Sequence, residues 1–262
     1  MQQGAKMSKD PITVYWAPAI NNDNTHPDFG LLYSSPKQLF NNLRERKTEK
    51  TDSASIFSCP AFSELTKSTV VFNSPMSCSY EFDSTDVSNP TIKATSKSLI
   101  GARYVRPPYL QDGPILHFQL YYIFFATEPV EALFTSPYFH KPQHTKYGSV
   151  TPGKFDIGQW FRPYNFEVQM WNMKGEFHLK EQEPMFYVEF KTDRPIILKQ
   201  FNNTQELLRI SDACVATTDM FGRGQTLLSR YFRFRDTGMK QRTLKLIEDN
   251  IIEGSELRLG KE

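Results

Sequence analysis

The chain has 262 residues, of which 39% are hydrophobic, 23% charged and 14% aromatic, including 21 Phe and 12 Tyr. That aromatic content excludes a wholly disordered chain, and 17 Pro exclude a simple helical bundle. A net charge of +2 does not make the whole molecule a nucleic-acid binder, and no apolar run reaches the roughly 18 residues of a bilayer-spanning helix, so no membrane is expected as a partner.

The polar opening MQQGAKMSKDPITVYWAPA has no apolar segment of signal-peptide length. It predicts a protein made and kept inside a cell, or packaged from there. Cys59, Cys78 and Cys214 are too few and too widely spaced for a disulfide framework or a CxxC metal knuckle, and are expected to be free and mostly buried.

Residues 12–18 (ITVYWAP) read as a first strand, rich in β-branched and aromatic side chains. After the polar loop 21–30 a helix is expected, with Ser35 as its cap, Pro36 in its first turn, and Leu39, Phe40 and Leu43 at helical spacing. The run 44–55 is charged and nearly free of apolar residues, which predicts a mobile loop.

From 56 to 201 the pattern turns to β. Residues 69–73 and 78–83 flank Ser74-Pro75-Met76 and predict a hairpin. A weaker strand follows at 91–95, then a proline-rich connection at 104–114. The most apolar stretch, 115–127, lacks clean alternation and predicts a strand buried on both faces. A strand broken by Pro137 spans 131–139, and 140–160 reads as a loop. In 161–171, Phe166, Val168 and Met170 alternate with Glu167, Gln169 and Trp171. Residues 175–190 read as two strands about a Glu-Gln-Glu-Pro turn, and 196–201 adds another. Phe118, Leu120, Ile123, Phe177, Leu179, Phe186, Val188 and Phe190 are the expected core. Helical periodicity returns in the last 60 residues. Asn203 and Glu206 loosely match a capping box before LLRISDACV, and Leu244, Ile247 and Ile251 form one stripe of 239–252. The closing GSELRLGKE is expected to fray.

These elements predict a β-rich α+β chain: an antiparallel β-sandwich or jelly-roll-like core with a short N-terminal helix and C-terminal helices. Its expected parts are 1–55 (strand, helix, mobile loop), 56–201 (β core) and 202–262 (a helical segment packing on the core). Absence of alternating βαβ units excludes a doubly wound nucleotide fold.

Chemistry-bearing motifs are sparse. His26-Pro27-Asp28 has the His-x-Asp form in which iron and 2-oxoglutarate enzymes hold two corners of a facial triad, with His144 or His178 as the third ligand. This is the alternative reading: a mononuclear metal enzyme on a double-stranded β-helix, with Fe(II) and 2-oxoglutarate as cofactors. His140-x-x-x-His144 and Glu176/His178 are two further ligand pairs. No nucleophile elbow, Walker loop or GxGxxG occurs, so no catalytic or cofactor-binding residue is assigned.

The most skewed charge lies at 221–245. There RYFRFR interleaves Arg230, Arg233 and Arg235 with Tyr231, Phe232 and Phe234. Basic plus aromatic composition serves single-stranded nucleic acid and protein interfaces. It also suits an element whose rings face the core while its arginines are solvated. Arg230, Tyr231, Arg233 and Arg235 are the candidate partner-binding residues, and if the segment binds a partner Arg230, Arg233 and Arg235 are expected to project from the body.

The run SPYFHKPQHTKYGSVTPGKFDIGQWFRPYNFEVQMW, followed by GEFHLKEQEPMFYVEFKTD, resembles uncharacterised proteins encoded by tailed phages of marine bacteria, cyanophages especially. The likeness runs from the early WAPA to LKLIEDNII and rests on an order of short aromatic-proline blocks. It implies a phage origin and carries no site residue. The first expectation for function is therefore a non-catalytic phage protein, virion-associated or an interaction module, present in the host cytoplasm during infection. Its partner would be another protein or a second copy of itself rather than nucleic acid.

Overall fold

The computed structural model describes residues 10–19, 33–46, 56–95, 100–105, 113–216 and 224–260. In chain order the elements are β1 (Ile12–Pro18), β2 (Lys37–Gln38), α1 (Leu39–Glu45), α2 (Pro60–Lys67), β3 (Thr69–Asn73), β4 (Cys78–Asp83), β5 (Thr91–Ala94), β6 (Ala102–Tyr104) and β7 (Ile115–Ala126). There follow β8 (Glu131–Thr135), β9 (Gly148–Val150), β10 (Gly153–Asp156), β11 (Pro163–Met170), β12 (Lys174–Leu179), β13 (Pro184–Lys191) and β14 (Ile196–Gln200). The chain closes with α3 (Gln205–Val215), α4 (Leu227–Asp236), α5 (Met239–Glu248) and β15 (Leu257–Leu259). The chain is thus β-rich, with helices set mainly toward its C-terminal end.

The twelve-residue β7 organises the molecule because both of its faces are covered. It lies between β1 and β11 in a seven-stranded sheet ordered β15-β14-β1-β7-β11-β9, with β6 also paired to β7. β1 runs parallel to β14 and antiparallel to β7, so this sheet is mixed. Two further sheets have the orders β10-β8-β13-β3-β2 and β12-β4-β5. Alternation places Trp16, Phe118, Tyr122, Phe124, Tyr164 and Phe166 on one face of the large sheet, where they meet rings of the other two. Trp16 and Phe124 pack on Phe72, Tyr164 on Phe134, Tyr122 on Phe186, and Phe118 on Phe177. All eight expected core residues are buried.

The opposite face of β1 and β7 is apolar over only part of its length. There Tyr15, Ala17, Ile123 and Phe125 receive Leu207, Cys214, Phe234 and Ile247 from α3, α4 and α5.

Several expectations are corrected. Residues 69–73 and 78–83 are strands but not a hairpin: β3 pairs with β13, and β4 with β12. The same holds for 175–190. Both segments turn a corner from one sheet into another, and the corners bond to each other: Ser74 N–H donates to the Glu183 carbonyl at 2.8 Å and Gln182 N–H to the Ser74 carbonyl at 2.9 Å. Gln182 takes a left-handed conformation (φ 62°) to make its turn. The prolines read locally as hairpin turns, whereas they mark strand exchange between sheets.

Ser35 and Pro36 do not open a helix. Lys37–Gln38 is extended against β3, and the seven-residue α1 starts at Leu39 without a side-chain cap. The segment 140–160 contains β9 and β10. Thr204, not Asn203, caps α3, its hydroxyl accepting from Leu207 N–H at 3.4 Å. The segment expected to fray supplies β15, which pairs with β14. The β core therefore reaches beyond 56–201, since β1 is an inner strand and β15 an edge of the large sheet. Of the loop expected at 44–55, residues 47–55 lie outside the described residues, as does 106–112 of the proline-rich connection.

Candidate functional site

His26 and Asp28 lie outside the described residues. His144 sits in a short 3₁₀ turn, fully buried against Phe166 and Phe177. Neither of its ring nitrogens makes a well-formed hydrogen bond among the described residues, the Met185 backbone giving only a weak polar contact. Burial holds its imidazole down to about 4, with the Met185 backbone opposing. His178 is on the other face of β12 from Phe177. Its Nδ1 meets Ser79 Oγ at 2.8 Å and its Nε2 meets Glu176 Oε2 at 2.9 Å. The described residues contain no group of three His, Cys, Asp or Glu side chains placed to hold a metal. His140 is buried and spoken for: Nε2 bonds Asn42 Oδ1 at 2.8 Å and Nδ1 bonds the Tyr187 hydroxyl. This is the pattern of a neutral ring with its proton on Nε2. Burial and the nearby Arg46 charge hold it down to about 4.

The basic segment folds as α4, which splits the candidate partner-binding residues. The expectation that Arg230 projects is corrected: it is buried, its Nε donating to the Ala216 carbonyl at 3.1 Å. Tyr231 turns inward, its ring 5.6 Å from that of Trp160 and its hydroxyl on Gln159 Oε1 at 3.1 Å. Helical geometry explains this, because Arg230 and Phe234 share the face that meets the body. Arg233 and Arg235 are exposed. Arg235 pairs with Asp236 at 2.7 Å and lies 4.8 Å from the Phe232 ring centroid. The solvent stripe of α4 is Leu228, Phe232 and Arg235, spaced i, i+4, i+7.

A second constellation was not singled out from the sequence. On the outer face of the large sheet, beside the part covered by helices, His117, Tyr121, Asn165 and Glu167 form a hydrogen-bonded chain. His117 Nδ1 is 3.1 Å from Glu167 Oε1, and its Nε2 is 3.0 Å from the Tyr121 hydroxyl. Asn165 Nδ2 donates to Glu167 Oε1 at 3.3 Å. A β-bulge creates this arrangement. Tyr121 opposes Asn165 and Phe118 opposes Phe166, so β7 carries two extra residues, Gln119 and Leu120. In a regular strand residues 117 and 121 would stand about 13 Å apart, yet their ring centroids are 5.4 Å apart. Beside the bulge the Gln119 side chain lies over Gly101, where a Cβ would stand 2.2 Å from Gln119 Oε1.

Burial would raise the Glu167 pKa, but His117, Asn165 and the Arg162 charge outweigh it and hold the carboxyl below its ordinary range. Burial raises the Tyr121 phenol, with the Arg103 charge opposing. A carboxylate, an imidazole and a phenol in series can hold a proton and fix the direction of the Tyr121 hydroxyl. The signal for it in the sequence was His117-x-Gln119-x-Tyr121: three polar groups at alternate positions inside the most apolar run.

Comparison with protein-family models, with curated proteins and with solved structures finds no match to the chain.

Proposed function

We propose that this is a non-catalytic interaction protein of phage origin that contacts a protein partner, or a second copy of itself, through the outer face of α4. One observation carries the reading: Leu228 and Phe232, 60% and 41% exposed, lie one turn apart on that face with Arg235 beside them. Apolar area left in water forgoes about 25 cal/mol per Å², and aromatic and Arg side chains supply most interface hot spots. Nucleic acid suits α4 less well, because Arg230 is withdrawn into the body and Arg235 is paired with Asp236. The order of aromatic-proline blocks supports the phage origin. With that origin go synthesis in the host cytoplasm and a place in the virion or in its assembly. The ring contacts between the large sheet and the other two support a sandwich or jelly-roll-like core.

The test combines sedimentation of the wild type and a Leu228→Asp, Phe232→Asp double variant with mass spectrometry of purified phage particles. The expected result is self-association, or presence in particles, that the variant loses while keeping its circular dichroism. Binding of single-stranded DNA and RNA should be negligible even at low salt. A wild-type protein that stays monomeric and is absent from particles overturns the reading.

A further inference from the structure

We propose that the cavity between the outer face of the large sheet and α3 is a binding site for a small organic anion, a carboxylate or phosphate monoester, with Arg103 and Arg162 as its cationic contacts. The cavity has a volume of about 360 Å³, which suits a small ligand. Its floor is the bulged part of the sheet, with Tyr121, Pro163 and Asn165; its roof is α3, with Leu208, Ser211 and Val215.

Arg162 is the central observation. It is half-buried, its Nε donates to the Pro163 carbonyl at 3.2 Å, and its guanidinium carbon lies 4.7 Å from the Trp160 ring centroid. These contacts fix the plane of the fork. No carboxylate stands within ion-pair distance of it among the described residues, and its Nη groups have no hydrogen-bond partner there. Burial lowers its pKa, with the Glu167 charge opposing from beyond ion-pair distance. Arg103, opposite His117 in the strand ladder, lines the same cavity, again with no ion pair among the described residues. Arg103 and Arg162 both line this half-open cavity, and guanidinium groups match the paired oxygens of a carboxylate or phosphate, which they bind through parallel N–H donors. Tyr121, oriented by the His117–Glu167 chain, and Asn165 add fixed polar groups at the same wall. Leu208, Val215 and Leu227 offer the other wall to an apolar body. Asp212 stands exposed at the rim and is already engaged with another group.

A larger groove of about 1190 Å³ lies between α2, the β13–β14 turn and β15. Lys191 and Arg194 there are already paired with Glu189 and Glu128, and the remaining cation of its lining is the single ammonium of Lys67, so it offers no guanidinium left for an anion.

The test is calorimetric titration of the full chain with benzoate, phenyl phosphate and inorganic phosphate, against chloride at matched ionic strength. Saturable one-site binding of at least one organic anion is expected, tighter than inorganic phosphate because the apolar wall is used. Whichever of benzoate and phenyl phosphate binds tighter assigns the head group. Arg162→Gln and Arg103→Gln should each weaken it by about tenfold or more, the loss of one charge-assisted contact. If Arg162→Gln does not fold, the exposed Arg103→Gln decides. Absence of saturable binding by both organic anions overturns the proposal, as does binding that Arg103→Gln leaves unchanged.

Discussion

Acidification from about pH 7 to about pH 4 is expected to remove about 3 kcal/mol of stability through His144 alone. The ring is fully buried, and neither nitrogen makes a well-formed hydrogen bond among the described residues. It stays neutral in the fold until about pH 4, whereas in the unfolded chain it takes a proton near its ordinary value of 6.5. Between those values the unfolded state binds more protons, so stability is fully present above about 6.5 and is lost as the pH falls toward 4. His140, held down to about 4 by burial and Arg46, acts in the same direction. The carboxylates with lowered values, Glu167 among them, lose their stabilising contribution only below their unfolded value of 4.5. The window between 4.5 and 6.5 therefore belongs to the histidines. Urea midpoints measured across it should show the slope, and His144→Leu should reduce the change across that window by about 2 kcal/mol. At neutral pH that variant should lose little stability, because neither ring nitrogen makes a well-formed hydrogen bond. Equal slopes in the two proteins would rule out His144 as the source.

Phe186→Ala should destabilise the fold by about 3–5 kcal/mol. Phe186 is fully buried where the large sheet meets the five-stranded one. Its ring is stacked on Phe72 at 5.3 Å and touches Tyr122 at 5.3 Å and Tyr164 at 5.0 Å, with Phe134 and Phe166 just beyond. These rings come from four different strands, so the space cannot close by moving one side chain, and the cavity term adds to the lost transfer energy. Phe232→Ala on the open face of α4 should change stability by less than about 0.5 kcal/mol. Chemical denaturation of the two variants makes the comparison; a small loss for Phe186→Ala would mean that the two sheets are not joined through this ring cluster.

Much of the candidate binding chemistry was out of reach of local reading. Arg230 was expected to project with Arg233 and Arg235, and helical geometry instead sends it inward with Phe234. His144 and His178 are alternatives for one ligand position by residue type alone, and only the fold gives them their different surroundings. The Glu167–His117–Tyr121 chain depends on a two-residue bulge in β7 and on a strand about 50 residues further along, and neither leaves a mark within one window of sequence.

What the sequence determined by itself was the identity of most elements. Alternation in 163–170 and the aromatic run of β7 are local properties of side-chain direction, and both have their expected form, while the stripe of Leu244 and Ile247 holds in α5 but Ile251 lies beyond the helix, in a bridge with Phe201. What the tertiary structure decided was which strands pair. β3 and β4 adjoin in sequence yet join different sheets, and their partners β13 and β12 lie about 100 residues away. β1 becomes an inner strand and the terminal 257–259 an edge. The physical reason is that alternation says only which side of a strand must be covered. The covering surface is chosen by the burial of all the apolar faces at once, and that choice is not written in any single segment.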